Sequence, residues 1–268
     1  MKLSIVLSTQ PSSFSALLYQ GNLAENVHKV KELGFDGVEL AVRDPARLQL
    51  PDLERILYTE RLQVPAIGTG QACLEDGLSF THPEAGIRRR AVERIISHLN
   101  MAEKLGAIVI IGLIRGQKIT GIGSKQAESW LIEALRDCAA ADKKVRLAIE
   151  PINRYETDLL NSVEQSLHFL DHLKVDTIGL LLDTFHMNIE ERSISESIQA
   201  AGKRLFHFHV ADSNRWYPGA GHIDFRPIIK SLDKIGYNGF ISGEFLPQPD
   251  PETAAVKMIE YFNRLQRN

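Results

Sequence analysis

The sequence predicts a (β/α)8 TIM barrel of the α/β class, formed as a single domain over residues 1–268. Three observations favour this fold. Short apolar runs alternate with longer helical patterns from one end of the chain to the other, which is typical of βα units around a parallel sheet. The length is close to the roughly 250 residues of such barrels. No linker or low-complexity segment divides the chain.

The first half of the chain contains four predicted βα units. Gly34 marks the end of the first helix, because glycine readily adopts the left-handed conformation that closes helices. The fourth strand is almost wholly aliphatic, as expected for a strand buried on both faces. The predicted strands are Leu3 to Ser8, Gly37 to Leu40, Val64 to Ile67 and Ala107 to Ile111, and their helices are Leu23 to Leu33, Leu53 to Glu60, Ile87 to Leu105 and Gln126 to Ala141.

The second half continues the same alternation. Its predicted strands are Val145 to Ile149, Thr177 to Leu182, Arg204 to Val210 and Phe240 to Ser242, each followed by a helical pattern. An open, doubly wound sheet is the alternative fold. It is disfavoured because Ser8, Thr9, Gln10 and Pro11 stand where that fold carries a Gly-x-Gly-x-x-Gly phosphate turn.

The composition argues against several classes of protein. The formal net charge of -3 gives no general signal for polyanions, so nucleic acid is not an expected partner. No apolar run approaches the roughly 20 residues that cross a bilayer, and the N-terminus lacks the apolar core of a signal peptide. We therefore expect a cytoplasmic protein without membrane association. Cys73 and Cys138 are expected to be reduced thiols, since two distant cysteines do not make a disulfide scaffold.

Metal-binding side chains stand at the carboxyl ends of the last four predicted strands. They are Glu150, Asp183, His209 and Glu244. Parallel strands bring these ends to one mouth of a barrel, where such folds place their chemistry. Three acids near low-dielectric surroundings would be compensated by a divalent cation. A mostly oxygen donor set favours Mn²⁺, Mg²⁺ or Co²⁺ over the thiolate-rich sites of structural zinc.

The same part of the chain carries a family resemblance. The blocks EPINRYETD, DTFHMNIEE and FHFHVADSNRWYPGAGHIDF and the glutamate of FISGEF resemble the D-tagatose 3-epimerase family, within the xylose isomerase-like sugar isomerases and epimerases. The similarity is dense from Glu150 to Glu244, while the first half shares mainly the strand-helix alternation. It implies a Mn²⁺ or Co²⁺ ion, with Mg²⁺ or Zn²⁺ as alternatives. It also implies a homo-oligomer, a dimer or tetramer, and a sugar substrate.

The resemblance implies a role for each matching residue. The metal ligands would be Glu150, Asp183, His209 and Glu244. Two of these, Glu150 and Glu244, would also transfer the protons. The carbonyl-end oxygens of the substrate would be held by Glu156, His186 and Arg215. The reaction would be inversion of the carbon next to a ketose carbonyl. Such inversion needs two bases on opposite faces and stabilisation of an enediolate between them, and a metal supplies that stabilisation as a Lewis acid.

One departure from the family bears on the substrate. The loops GTGQACLEDGLSF and GLIRGQK look closer to a branch that epimerises keto-sugar acids such as 5-keto-gluconate. Arginine is suited to bidentate capture of a carboxylate, so Arg115 is the hypothetical anchor for an acidic substrate. The alternative for Arg115 is a surface arginine near a helix start.

Three other functions remain open. An aldose-ketose isomerase of the hydroxypyruvate isomerase type would share the metal and acids but move a proton between adjacent carbons. An endonuclease IV-like DNA-repair enzyme would need a three-zinc cluster with further histidines. The third and fourth strands instead end in Gly68, Thr69 and Gly70 and in Gly112 and Leu113, which offer no such ligands. A sugar-binding barrel without catalysis is disfavoured by the presence of both glutamates.

Overall fold

Eight parallel strands pair in sequence order and close into a barrel in the computed structural model, which describes residues 1–118 and 121–267. The barrel closes where β8 pairs with β1, from Lys2 opposite Phe240 to Ile5 opposite Gly243. The predicted fold class is confirmed. The strands are β1 (Lys2–Ser8), β2 (Gly37–Ala41), β3 (Ala66–Gly68), β4 (Ile108–Ile111), β5 (Leu147–Ile149), β6 (Ile178–Asp183), β7 (Leu205–Val210) and β8 (Phe240–Gly243).

The helices follow the strands and begin and end at recognisable capping residues. The side chain of Asn22 accepts a hydrogen bond from the backbone N–H of Glu25, and Gly34 closes the first helix with a φ of 94°. The helices are α1 (Leu23–Leu33), α2 (Leu50–Glu60), α3 (Gly70–Asp76), α4 (Ala85–Leu105), α5 (Ser124–Ala141), α6 (Val163–Leu173), α7 (Thr184–Glu190), α8 (Ile194–Ala201), α9 (Phe225–Lys234) and α10 (Pro251–Arg267). None of these helices is both long enough and apolar enough to cross a bilayer.

Two short helices follow β3 and β6. Helix α3 lies within the segment GTGQACLEDGLSF, which the sequence predicts as a loop, and helix α7 begins directly after β6. Asp183 caps α7, because its Oδ1 accepts a hydrogen bond from the backbone N–H of Phe185 at 2.8 Å. Helices of seven residues are too short to show a clear helical period. The cap leaves the second oxygen of Asp183 free for another partner.

The barrel interior is apolar on one side and polar on the other. Small and aliphatic side chains from β3 to β6 pack together, namely Ala66, Ile108, Ile110, Ala148 and Leu181. Buried polar side chains come from β1, β2, β7 and β8, namely Ser4, Glu39, His207, His209 and Ser242. Burial of charged groups is costly unless they are paired or bind a cation. These buried polar groups, together with Asp183 at the end of β6, therefore need partners or a cation inside the barrel.

Candidate active site

The four metal-type side chains predicted from the strand ends converge in the structure. One ligand atom from each of Glu150, Asp183, His209 and Glu244 lies within 4.8 Å of the others. In the sheet, Asp183 of β6 pairs with His209 of β7, so both side chains point to the same side. Glu150 and Glu244 directly follow β5 and β8. We call these four residues the ligand quartet.

The ligand quartet contains polar atoms that lack a partner. Within the described part of the chain, Oε1 of Glu150, Oδ2 of Asp183 and Nδ1 of His209 make no hydrogen bond. All three residues are buried. Each buried polar atom without a partner costs about 1–3 kcal/mol, so three such atoms in one cluster indicate that a further group belongs between them. Three carboxylates and an imidazole fit a divalent cation such as Mn²⁺ or Co²⁺.

The electrostatics of the quartet also favour a cation. Burial, reinforced by Glu244, raises the pKa of Glu150 well above its usual value, and burial raises the pKa of Glu244 to about 7. Burial raises the pKa of Asp183 as well. Burial acts to lower the pKa of His209, but the carboxylate of Glu39 raises it to about 10. A bound cation would reverse these shifts, because it stabilises ionised carboxylates and a neutral imidazole.

Gly112 leaves room for one of the quartet carboxylates. A Cβ at this position would lie 3.0 Å from Oε2 of Glu150, a separation tighter than ordinary van der Waals contact. From the sequence alone, Gly112 shows only that the fourth strand ends in a residue that cannot bind a metal through its side chain. The structure shows that its missing side chain lets Glu150 approach the backbone that follows β4.

Arg215 connects the quartet to a further carboxylate. Its Nη2 donates to Oε2 of Glu244 at 2.9 Å, and its Nη1 donates to Oε1 of Glu156 at 3.3 Å. The ring centroid of Phe185 lies 4.6 Å from the guanidinium carbon, within the range of a cation–π contact. Burial acts to lower the pKa of Arg215, but Glu244 and the other nearby acids raise it. The structure therefore fixes a permanent positive charge beside Glu244.

An amide with a defined orientation positions His186. Oδ1 of Asn153 accepts a hydrogen bond from the backbone N–H of Tyr155 at 3.0 Å, so Nδ2 is the atom that faces the site. Nδ2 donates to Oε1 of Glu156 at 2.9 Å and lies 2.8 Å from Nδ1 of His186. Since an amide nitrogen can only donate, Nδ1 of His186 accepts.

This contact fixes the tautomer of His186. Burial, together with the guanidinium of Arg215, holds the pKa of His186 well below its usual value, so the ring is neutral. With Nδ1 accepting, Nε2 carries the proton and points toward Oε1 of Glu150, 3.7 Å away. His186 therefore offers a neutral N–H donor at the edge of the ligand quartet.

The motif analysis did not identify Glu39 and His207 as part of this site. Nε2 of His207 lies 2.7 Å from Oε2 of Glu39, and Nε2 of His209 lies 3.0 Å from each oxygen of the same carboxylate. A signal was present in the sequence, because Glu39 is a charged residue in the otherwise small and apolar strand Gly37–Ala41. His207 and His209 also alternate with apolar residues, as two side chains on one face of a strand do.

The structure corrects the expectation for Arg115. This side chain is completely buried. Its Nε and Nη2 donate to the carbonyl of Leu159 at 3.1 and 2.9 Å, and its Nη1 donates to the carbonyl of Gly112 at 3.2 Å. The short 3-10 turn Leu113–Arg115 directs the side chain beneath the loop that follows β5. Backbone carbonyls occupy the donors, so Arg115 is neither a surface arginine nor an exposed anchor for a carboxylate.

A pocket opens over the ligand quartet at the carboxyl end of the barrel, which is where such folds bind small molecules. Its lining combines polar side chains with apolar ones. The polar residues are Glu150, Glu156, His186, Arg215 and Glu244, and the apolar residues include Phe14, Leu17, Leu74, Leu113 and Ile152. A compact polyol, which has both polar hydroxyls and an apolar carbon skeleton, matches this combination.

A closed (β/α)8 barrel whose carboxyl end brings together several acids, a candidate cation site and a pocket has the arrangement of a TIM-barrel enzyme. Residues 27–265 match the model of the xylose isomerase-like TIM barrel family, and the chain belongs to that family. The resemblance inferred from the sequence motifs is thereby confirmed.

Several relatives with named activities are carbohydrate epimerases. The chain is 32% identical over 215 residues to the L-ribulose 3-epimerase of Methylomonas sp. (strain DH-1), covering 79% of this chain and 74% of the relative. It is 30% identical over 224 residues to the D-psicose 3-epimerase of Ruminiclostridium cellulolyticum, covering 80% and 75%. A crystal structure of the D-allulose 3-epimerase of Methylomonas sp. with D-allulose is similar at a TM-score of 0.82 and 26% identity, covering 98% and 97%. These relatives support a carbohydrate epimerase.

Proposed function

We propose that the protein is a metal-dependent epimerase that inverts the carbon next to the carbonyl of a ketose. The observation that carries the proposal is the convergence of Glu150 and Glu244 on the unpartnered atoms of Asp183 and His209. The L-ribulose and D-psicose 3-epimerases among the relatives support the same reaction class. A keto-sugar acid is the second choice of substrate, since the buried Arg115 removes the side chain that the sequence offered to bind its carboxylate.

The reaction is assigned to the two glutamates. Inversion requires that a proton leaves one face of the carbon and that a proton returns to the other. Glu150 and Glu244 come from β5 and β8, which are not neighbours in the barrel, so substrate held between them would be reached from two directions. One glutamate takes the proton as a carboxylate and the other supplies a proton as a carboxylic acid, and the roles exchange for the reverse reaction. A cation on the ligand quartet would supply Lewis-acid stabilisation of negative charge on the substrate oxygens.

Three further residues are proposed to bind the reacting end of the sugar. Neutral His186 donates from Nε2 to an oxygen near the carbonyl, and Arg215 places a fixed positive charge where negative charge develops. Glu156 accepts a hydrogen bond from a substrate hydroxyl and holds Arg215 in place through the ion pair seen in the structure. Donors placed before the reaction need little rearrangement as charge develops on the substrate.

The proposal also covers the assembly and the ion. We propose one divalent ion per chain, Mn²⁺ or Co²⁺ in preference to Mg²⁺ or Zn²⁺, because the donor set contains one imidazole and no thiolate. A cytoplasmic homo-oligomer is proposed by resemblance to the family. Size-exclusion chromatography with light scattering would measure the assembly.

The test is a substrate panel on metal-free protein to which Mn²⁺ is added. Ketopentoses, ketohexoses and the matching keto-hexonates are incubated separately, and products are separated by chromatography. We expect turnover of at least one ketose, dependent on the added ion. Turnover of keto-hexonates alone would require a different acid-binding residue, and absence of turnover with every compound would refute the epimerase assignment.

A further inference from the structure

Glu39 makes a contact across the barrel that the proposed reaction does not use directly. Both oxygens of its carboxylate lie 3.0 Å from Nε2 of His209, while Oε2 also lies 2.7 Å from Nε2 of His207. All three side chains are buried, at 1% exposure for Glu39 and His209 and 2% for His207. Strands β2 and β7 are not neighbours in the sheet, so this contact spans the interior of the barrel.

The contact determines which nitrogen of His209 carries the donor proton. An ionised carboxylate only accepts hydrogen bonds, so Nε2 of His209 must donate to Glu39. The other nitrogen, Nδ1, faces the ligand quartet. It has no hydrogen-bond partner among the described residues and lies 3.8 Å from Oε2 of Glu244. A neutral histidine binds a metal through the ring nitrogen that carries no proton, and with Nε2 donating to Glu39 that nitrogen is Nδ1.

We infer that Glu39 is a positioning residue for the metal centre: it holds His209 in the ring orientation and tautomer in which Nδ1 binds the cation. This inference rests on the proposed function, because it assumes that the ligand quartet binds a metal. Glu39 acts through His209 and has no assigned contact with the reacting atoms. Carboxylates that accept from the second nitrogen of a ligating histidine commonly change metal affinity about 10–100-fold when replaced.

The geometry makes Glu39→Gln a sharp test. Because both carboxylate oxygens are equally close to Nε2 of His209, the amide of Gln places its nitrogen beside that atom in either orientation and leaves one accepting oxygen where the carboxylate has two. The amide N–H can donate to an unprotonated Nε2, so the substitution weakens the preference for the tautomer that leaves Nδ1 free for a metal. Glu39→Asp serves as a second variant, because it keeps an ionised acceptor on a shorter side chain.

His207 provides the matched control. It bonds to the same carboxylate, is equally buried and lies on the same strand, yet the quartet does not include it. His207→Gln therefore removes a buried partner of Glu39 and leaves the contact to His209. If Glu39 only paired two buried imidazoles, His207→Gln and Glu39→Gln would affect stability and metal affinity alike.

The experiment measures Mn²⁺ binding to metal-free protein by electron paramagnetic resonance of the free ion, without substrate, together with the thermal midpoint of each variant. We expect affinity to fall about 10–100-fold in Glu39→Gln, less in Glu39→Asp, and little in His207→Gln. Asp183→Ala tests the metal centre independently and is expected to lose binding. Wild-type affinity in Glu39→Gln or an equal loss in His207→Gln would overturn the inference alone, whereas unchanged binding in Asp183→Ala would overturn the metal centre itself.

Discussion

Nη2 of Arg215 lies 2.9 Å from Oε2 of Glu244, so a fixed cation is paired with one of the two proposed proton-transfer carboxylates. Arg215 has a φ of 59°, a backbone conformation that few residues other than glycine adopt without cost. Its loop also contacts the segment after β8, because the backbone N–H of Leu246 donates to the carbonyl of Arg215 at 2.8 Å. The chain thus holds the guanidinium in a defined place before substrate binds.

The first prediction concerns this guanidinium. Arg215→Met should lower kcat/KM for a ketose about 100- to 1000-fold, because a charged donor to developing negative charge is lost. The affinity for Mn²⁺ should not fall, because the substitution removes a positive charge that repels the metal ion from the quartet. Steady-state kinetics and Mn²⁺ titration measure the two effects. A parallel loss of Mn²⁺ affinity would mean that Arg215 organises the metal site.

The second prediction tests the two-base assignment. Glu150→Gln and Glu244→Gln should each abolish inversion of the carbon next to the carbonyl, because inversion needs a proton-transfer group on both faces and an amide cannot serve as one. Proton NMR of the substrate and its epimer measures the inversion. Glu260→Gln, at an exposed position on α10 paired with Lys257, is the control and should invert the substrate normally. Near-normal inversion in either site variant would refute the assignment.

The third prediction couples metal binding to pH. In metal-free protein the pKa of Glu244 is raised from 4.5 to about 7, so the folded state binds more protons than the unfolded state between these values. Stability of the metal-free protein should therefore fall as pH rises through that window. A bound cation stabilises the ionised carboxylates, so metal binding should restore the stability that is lost as pH rises.

Thermal unfolding with and without Mn²⁺ measures this coupling. The rise in the thermal midpoint caused by Mn²⁺ should be larger at about pH 7.5 than at about pH 5.5. The high pKa of His209 acts in the same direction, because its extra proton must also leave before Nδ1 can bind a metal. An equal rise at both pH values would show that the quartet releases no protons on binding.

The fourth prediction concerns the space beside Glu150. Gly112→Ala should displace Oε2 of Glu150 by a few tenths of an ångström, since the new Cβ would lie 3.0 Å away. We expect kcat to fall roughly tenfold with a small change in the thermal midpoint, because small displacements of reacting groups are costly to the rate. Gly68→Ala is the matched control, since its Cβ would come no closer than 3.8 Å to Cα of Ala41. Equal effects of both changes would contradict the packing argument.

The convergence of the candidate site residues could be predicted from the sequence because they occupy strand ends. Glu150 and Glu244 directly follow aliphatic runs, and parallel strands bring such ends together whatever the details of packing. The contact of Glu39 with His209 could not be read in the same way. It joins residues 170 positions apart across the barrel, and only closure of the sheet brings them together.

For Arg115 the sequence suggested a substrate-binding role, but the structure shows a side chain buried beneath a loop. Residue type alone suggested a carboxylate anchor, but the direction of a long side chain depends on the local backbone. Here a 3-10 turn and the carbonyls of Leu159 and Gly112 hold the guanidinium inside the protein. Neither feature has a period or a spacing that a sequence pattern reveals. His186 was predictable only in part. Its motif was recognised in the sequence, but its tautomer depends on the orientation of the Asn153 amide in the folded protein.

The most direct measurement follows a ketose substrate by NMR in deuterated water with the Mn²⁺-loaded protein. Two-base inversion predicts a product that is still a ketone, with the configuration next to the carbonyl inverted and deuterium at that carbon. An aldehyde product would indicate transfer between adjacent carbons instead. An inverted ketone that keeps its original hydrogen would contradict a mechanism in which one glutamate removes the proton and the other supplies a new one.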